Sequence, residues 1–280
     1  MSEESSSIHR IGVVGLGRLG RSLVASLEHA LCDVLIYDKG RLTHPRCQSA
    51  LLDVVEKSSI VFLTVQDDRL LSIAEEIHAF DVTSSEENQT KKQFAKTLVV
   101  CSGSFKLSQL NFLRESGWVC AKVHPLQTFS TRALEPFPMG TPFAIEAPDP
   151  VKRLLEDLVL RWYGQPHFLE EHQWFQYHLS AVMAANFLPL FIRHGIALLE
   201  PMAKDSQTAA EWIRPLVEES VRQALKMENL LPFSGPASRG DRVVMEEHLA
   251  WLEENLPELK TLYEESSKLI EAKYLDEKGD

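Results

Sequence analysis

Through roughly the first half of the chain, short wholly apolar runs alternate with stretches of helical period. Ile11–Val14, Val34–Tyr37, Thr97–Cys101, Trp118–Val123 and Pro142–Glu146 read as strands, and Ile60–Val65 is apolar on both faces. Strands of that kind belong inside a parallel sheet covered by helices on either side. Between them, Leu19, Leu23 and Leu27 recur at helical spacing, and 48–56, 70–77 and 107–115 read as further helices. The polar stretch 81–96 reads as a surface loop with some helix. Alternation of this length predicts an α/β fold with a doubly wound, mainly parallel sheet. After Ala147-Pro148-Asp149-Pro150 no strand-like run follows, and helices are predicted over 151–162, about 170–200, 207–227, 242–254 and 257–273. The pattern therefore predicts an α/β domain over 1–149 and an all-helical domain over 150–280.

The first strand runs straight into Gly15-Leu16-Gly17-Arg18-Leu19-Gly20, and a helix starts at once. In this arrangement Gly15 makes the turn and Gly17 lets backbone approach a pyrophosphate. Gly20 lets the helix pack on its strand, while the helix N-terminus offers free N–H groups to phosphate. The second strand ends in Asp38, 18 residues beyond Gly20, about where an acid reaches a ribose hydroxyl. Together these features predict a bound dinucleotide. Asp38 favours a free 2′-hydroxyl and hence NAD, whereas Lys39 and Arg41 just beyond favour a 2′-phosphate, and the balance leans slightly to NADP. Ligands of open α/β sheets bind beyond the carboxyl ends of the strands, which adds Val65, Gln66 and Ser102 to the expected cofactor contacts.

Bulk properties narrow the partners. With 280 residues, 44% hydrophobic and 25% charged, the chain is ordinary globular material. A net charge of −11 argues against nucleic acid or an anionic membrane surface as the main partner. Cys32, Cys47, Cys101 and Cys120 are widely spaced, which fits reduced thiols in a cytoplasm and no metal site. The N-terminus lacks an apolar signal core. The apolar stretch Leu179–Leu199 is interrupted by Asn186, Pro189, Arg193 and His194, and reads as a helix buried among others, not a membrane span.

Several polar residues could carry chemistry. Ser102 and Ser104 follow the fourth strand, where they either cap the next helix or meet a ligand. His124 precedes Pro125, which biases it to an extended conformation beside the nicotinamide end of a dinucleotide. His178 and Asn186 lie two turns apart in the apolar helix, so each is either paired in a core or open to a cleft. Arg239, in the turn Gly235–Asp241, could hold a carboxylate. The Arg239-Gly240-Asp241 triplet also matches an adhesion motif, a reading that a chain without a secretion signal disfavours.

Gly-Leu-Gly-Arg-Leu-Gly at 15–20, Cys-Ser-Gly-Ser at 101–104, His-Pro-Leu-Gln-Thr-Phe at 124–129, Ala-Ala-Asn-Phe-Leu at 184–188 and Gly-Pro-Ala-Ser-Arg-Gly-Asp at 235–241 occur in that order. In this the chain resembles Rossmann proteins with a DUF2520-type helical C-terminal domain. It is similar in build to pyrroline-5-carboxylate reductases, ketopantoate reductases, prephenate dehydrogenases and β-hydroxyacid dehydrogenases of the 6-phosphogluconate dehydrogenase-like superfamily. The resemblance implies an NAD(P)-dependent oxidoreductase acting on a small carbonyl, hydroxy-acid or imine substrate. It also implies a homodimer formed through the helical domain. Ser102-Gly103 resembles a substrate-side serine-glycine segment, and Asn186 a substrate-orienting asparagine. Those enzymes usually carry a lysine one helical turn earlier; here that position is Val182. His124 and His178 are then the acid–base candidates, with Ser102 and Asn186 as hydrogen-bonding partners and Ser104, Asn186 and Arg239 on the substrate side. The alternative is a non-catalytic dinucleotide-binding sensor or assembly protein, which the missing lysine favours.

Overall fold

The computed structural model describes residues 10–40, 44–48, 50–87, 95–129, 133–149, 151–226 and 233–277. By its internal contacts the chain divides into two compact units, Met1–Phe187 and Leu188–Asp280. The first is built on one seven-stranded sheet in the order β2-β1-β3-β4-β5-β6-β7. Its strands are β1 (Arg10–Val14), β2 (Asp33–Tyr37), β3 (Ile60–Leu63), β4 (Thr97–Val100), β5 (Val119–Pro125), β6 (Pro142–Glu146) and β7 (Gln165–Phe168). β1 to β5 pair in parallel, β5 and β6 antiparallel, and β6 and β7 in parallel. The expected doubly wound, mainly parallel sheet is thus present.

Alternate residues of each strand feed two cores. On one face Val13, Phe62, Val99, Ala121 and Val123 pack with Leu23 and Leu27 of α1 (Arg18–His29) and with Leu155 and Val159 of α5 (Val151–Arg161). On the other, Val14, Leu63, Leu98, Val100 and Cys120 meet Val55 of α2 (Leu51–Lys57), Ile77 of α3 (Asp67–Glu87) and Leu113 of α4 (Asn111–Glu115). Burial on both faces is why these strands read as unbroken apolar runs.

The structure sharpens or changes three expectations. α3 runs to Glu87, which places the helix expected within 81–96 at its start. That segment has neither Gly nor Pro to stop a helix that is already propagating, and the Thr83 hydroxyl donates back to the Ala79 and Phe80 carbonyls. β5 extends through His124-Pro125, so His124 lies within a strand and pairs with Ala144. A seventh strand, β7, lies beyond residue 150, so 150–280 is not all helical. Its sequence Gln165-Pro166-His167-Phe168 hides the strand, because Pro and His break the apolar pattern; a sheet edge tolerates both.

The helix expected over 170–200 is several pieces: a 3₁₀ turn (Glu171–Gln173), α6 (Trp174–Val182), a π-helical turn (Met183–Phe187) and α7 (Leu188–Ala203). The second unit holds α7 with α8 (Ser206–Ala224), α9 (Pro236–Arg239), α10 (Arg242–Asn255) and α11 (Pro257–Glu277). Its apolar core is small: Ile196, Ala203 and Ala209, with Ile192, Leu199, Ala210 and Ile213 against them. The apolar run Glu171–Ala203 is long and apolar enough to cross a membrane by length and composition, and only 6% of its apolar window is buried. The expectation of a helix buried among others is therefore corrected: within one chain Phe175, Leu179, Met183 and Phe191 face outward.

Candidate functional site

The glycine loop joins β1 to α1. Gly15 takes φ +103°, and a Cβ on Gly20 would collide with the Gly15 carbonyl oxygen and stand 2.6 Å from the Thr64 hydroxyl. That hydroxyl donates to the Gly15 carbonyl at 2.7 Å, so loop, helix and β3 are knitted at one point. Gly17 is the N-cap of α1. No side chain caps this helix, and its first turn holds no acid. The N–H groups there are open to an anion, as pyrophosphate binding requires. Leu16 is buried, Leu19 is half-buried against the core, and Val65 packs beside Gly15; Gln66 and Arg18 are exposed. The Arg18 guanidinium donates to the Phe129 carbonyl at 3.4 Å.

Asp38 ends β2 at the same place. Its carboxylate accepts the Leu16 N–H at 2.6 Å and the Gly40 N–H at 2.7 Å. It therefore braces the glycine loop. Lys39 beside it is exposed, while Arg41 is outside the described residues.

A second cluster forms beyond β4 and β5. Ser102 is buried, and its Oγ accepts the backbone N–H groups of Ser104 (3.2 Å) and Phe105 (3.1 Å), which closes the turn after β4. The Ser104 hydroxyl donates to the Asp67 carboxylate at the start of α3. Gly103 lies between two imidazoles: a Cβ there would stand 2.5 Å from His178 Cδ2 and 3.5 Å from His124 Cε1. Both rings close on this residue because it has no side chain. The sequence marks His124 and His178 separately; their meeting over Gly103 is a product of the fold.

His124 is half-buried and faces Tyr177 of α6. Its Nδ1 lies 3.0 Å from the Tyr177 hydroxyl, which itself donates to the His124 carbonyl at 3.0 Å. The rings meet edge to face at 5.6 Å and 90°. Burial, then the neighbouring His178 and Lys122, pull the His124 pKa down to about 4, so the ring is neutral at neutral pH. Burial likewise raises the Tyr177 hydroxyl.

Lys122 escaped the sequence reading. It is 1% exposed, donates to the Phe105 carbonyl at 2.6 Å and the Gly103 carbonyl at 3.4 Å, and lies 3.8 Å from the centre of the Trp174 ring. Burial lowers its pKa to about 8, against the pull of Glu146, Asp67 and Glu171. The signal was available: a lysine two residues before His124 on the same face of an otherwise apolar strand. Gly103, Ser104, Lys122, Glu146, Trp174 and His178 border a cavity of about 200 Å³.

The remaining expected site residues lie elsewhere. Asn186 sits in the π-helical turn and is exposed, and among the described residues its amide has no hydrogen-bond partner. Such turns are rare and frequent at functional sites. Arg239 belongs to the second unit and donates to the Ser234 carbonyl. Among the described residues no group of three His, Cys, Asp or Glu side chains could hold a metal ion.

Comparison with known proteins bears on this arrangement. Residues 141–270 match the family described as Domain of unknown function (DUF2520). No curated protein sequence matches the chain. Among solved structures, a candidate NADP oxidoreductase from Bacteroides fragilis is 21% identical, with 94% of this chain and 98% of that one covered at a TM-score of 0.75. A pyrroline carboxylate reductase from Plasmodium falciparum, solved with NADP bound, is 16% identical over 95% and 99%, TM-score 0.57. An imine reductase variant from Myxococcus stipitatus, in complex with NAD+, is 14% identical over 95% and 98%, TM-score 0.58. These structural neighbours are NAD(P)-dependent oxidoreductases, and likenesses of this degree establish the fold. The chain thus carries a DUF2520 domain over residues 141–270, in a protein with the fold of Rossmann-type dehydrogenases that have a helical C-terminal part.

Proposed function

We propose that this protein is an NAD(P)-dependent oxidoreductase that moves hydride to or from a small carbonyl, hydroxy-acid or imine substrate. The observation that carries the reading is the closure of His124 and His178 over Gly103, on a sheet whose first helix presents an uncapped N-terminus. The nicotinamide, when bound, supplies or accepts the hydride, and the protein's part is to orient the substrate and handle the proton. Gly15–Gly20 and the start of α1 would hold the pyrophosphate. Neutral His124 would accept the hydrogen of the reacting group, with His178 beside it as the second acid–base group. Ser102 shapes the turn between them, Ser104 with Asp67 and Asn186 are candidates to hold the rest of the substrate, and Arg239 of the second unit is a candidate carboxylate binder.

The lean to NADP is supported by Asp38. Both its carboxylate oxygens already accept backbone N–H groups, and Lys39 is exposed next to it. A second copy of the chain is the proposed cover for the outward apolar side chains of α6 and α7, since a soluble monomer seldom leaves so large a patch bare. The interruption of that stretch by Asn186, Pro189, Arg193 and His194 supports this cover over a bilayer. The four cysteines are unpaired, which supports a reducing compartment such as the cytoplasm.

The test is titration with NADPH and NADH by thermal shift, followed by cyclic imines, keto acids and hydroxy acids with absorbance at the reduced nicotinamide band. Bound cofactor raises the melting temperature by mass action. Expected are tighter binding of NADPH, turnover of at least one substrate, and its loss in His178→Ala. Binding without turnover across the panel would favour the sensor reading.

A further inference from the structure

We propose that Tyr177 is a positioning residue that locks His124 in the tautomer carrying its hydrogen on Nδ1. A phenol has one O–H, and a backbone carbonyl can only accept. The Tyr177 hydroxyl lies 3.0 Å from the His124 carbonyl and donates to it, so its oxygen has only lone pairs left for Nδ1, also at 3.0 Å. Both contacts are satisfied only when Nδ1 carries the hydrogen. The hydroxyl cannot swing to the other arrangement without giving up the carbonyl bond in a half-buried site, where an unmade bond is costly. The Tyr177 ring is itself held edge to face against buried Trp174, 5.4 Å away at 80°, and Trp174 lies under the Lys122 ammonium. Three residues of α6 and β5 thereby fix one proton.

The consequence is chemical. With Nδ1–H committed to Tyr177, Nε2 presents a lone pair, and among the described residues it has no partner. His124 is then a hydrogen-bond acceptor and base, not the proton donor that the sequence alone allowed. On the oxidoreductase reading, the site takes a reacting centre that offers a hydrogen: a hydroxyl or amine on the reduced side, an iminium N–H on the oxidised side. In oxidation of an alcohol, a bound oxidised nicotinamide would take the hydride from carbon, while the O–H proton would pass to His124 Nε2, leaving the carbonyl. In reduction of an iminium, its N–H donates to Nε2, hydride adds to carbon, and no proton has to be supplied. A neutral ketone can engage Nε2 only when His124 is protonated, the state that the alcohol oxidation leaves behind.

The test is nitrogen NMR of the full chain with ¹⁵N-labelled histidine at neutral pH, the His124 signals identified by their loss in His124→Gln. The expected wild-type pattern is a protonated, pyrrole-type Nδ1 and an unprotonated, pyridine-type Nε2. In Tyr177→Phe, which keeps the ring and removes the hydroxyl, the pattern should move toward the Nε2–H tautomer. A wild-type Nε2–H form or an even mixture would overturn the proposal, as would a Tyr177→Phe spectrum unchanged from wild type. The wild-type spectrum decides the tautomer even if that variant folds poorly. Where turnover is found, Tyr177→Phe should lower kcat about tenfold to a hundredfold with KM little changed, as loss of an orienting partner does. A locked tautomer in a protein that turns nothing over would count against the oxidoreductase reading and leave the lock standing.

Discussion

In the first unit, Phe62, Leu63, Val99 and Ile145 are sealed between helices on both faces of the sheet. In the second, Phe191, Trp212, Leu216 and Trp251 face outward, and among the described residues the buried apolar cluster is Ile196, Ala203 and Ala209, with only Ala237 and Leu252 buried apart from it. The second unit also opens an apolar hollow of about 630 Å³, bordered by Phe191, Leu216, Phe233 and Tyr263. The two units have similar appetites for apolar burial, and only one satisfies it within a single chain. A parallel sheet carries its own cover, because each crossover returns a helix to the sheet. A helix that is apolar nearly all round needs neighbours on every side, and α7 has few.

The largest test of that contrast is Phe62→Ala. Emptying this site should cost about 3–5 kcal/mol, independent of protein concentration, in urea unfolding. A cost under 1 kcal/mol would mean that the first unit is less closely packed than its burial implies. Next is Gly20→Val, which forces side-chain atoms into the Gly15 carbonyl and the Thr64 hydroxyl. Overpacking of this kind should cost roughly 2–3 kcal/mol, and calorimetric titration should show loss of dinucleotide binding.

A smaller effect tests the electrostatics of the first unit. The His124 pKa is about 4 when folded against an ordinary 6.5, so between these values the unfolded chain binds a proton that the folded one does not. Stability should be full above about pH 6.5 and fall by about 1–3 kcal/mol as pH drops toward 4. His124→Gln should flatten that slope in melts across the range. Lys122 acts in the same direction at the alkaline end: stability should rise between pH 8 and 10.5, and Lys122→Met should abolish the rise.

The smallest expected effect on a single chain is in the second unit. Phe191→Asp replaces an outward ring and should change monomer stability by less than about 1 kcal/mol, as surface changes do. It should nevertheless shift the sedimentation profile from dimer to monomer and remove the concentration dependence of the melting temperature. A wild-type chain that sediments as a monomer would break the proposed cover.

The sequence by itself determined the sheet, because strands buried on both faces must be apolar on both faces. It also marked the glycine loop, where Gly15 takes a positive φ and Gly20 has no room for a side chain. It marked His124, His178 and Asp38 one at a time. It could not show β7, whose Pro166 and His167 are tolerable only at a sheet edge. Nor could it show that the long apolar helix, broken at Met183–Phe187, lies outward, since periodicity reports that a face wants cover but not what covers it. Lys122 looked like one more charge until β5 and α6 brought its ammonium to the Gly103 and Phe105 carbonyls and the Trp174 face. The same holds for Tyr177, 53 residues from His124 in the chain. Those pairings are non-local, and which hydrogen a histidine carries is decided only by the group that the fold sets beside it.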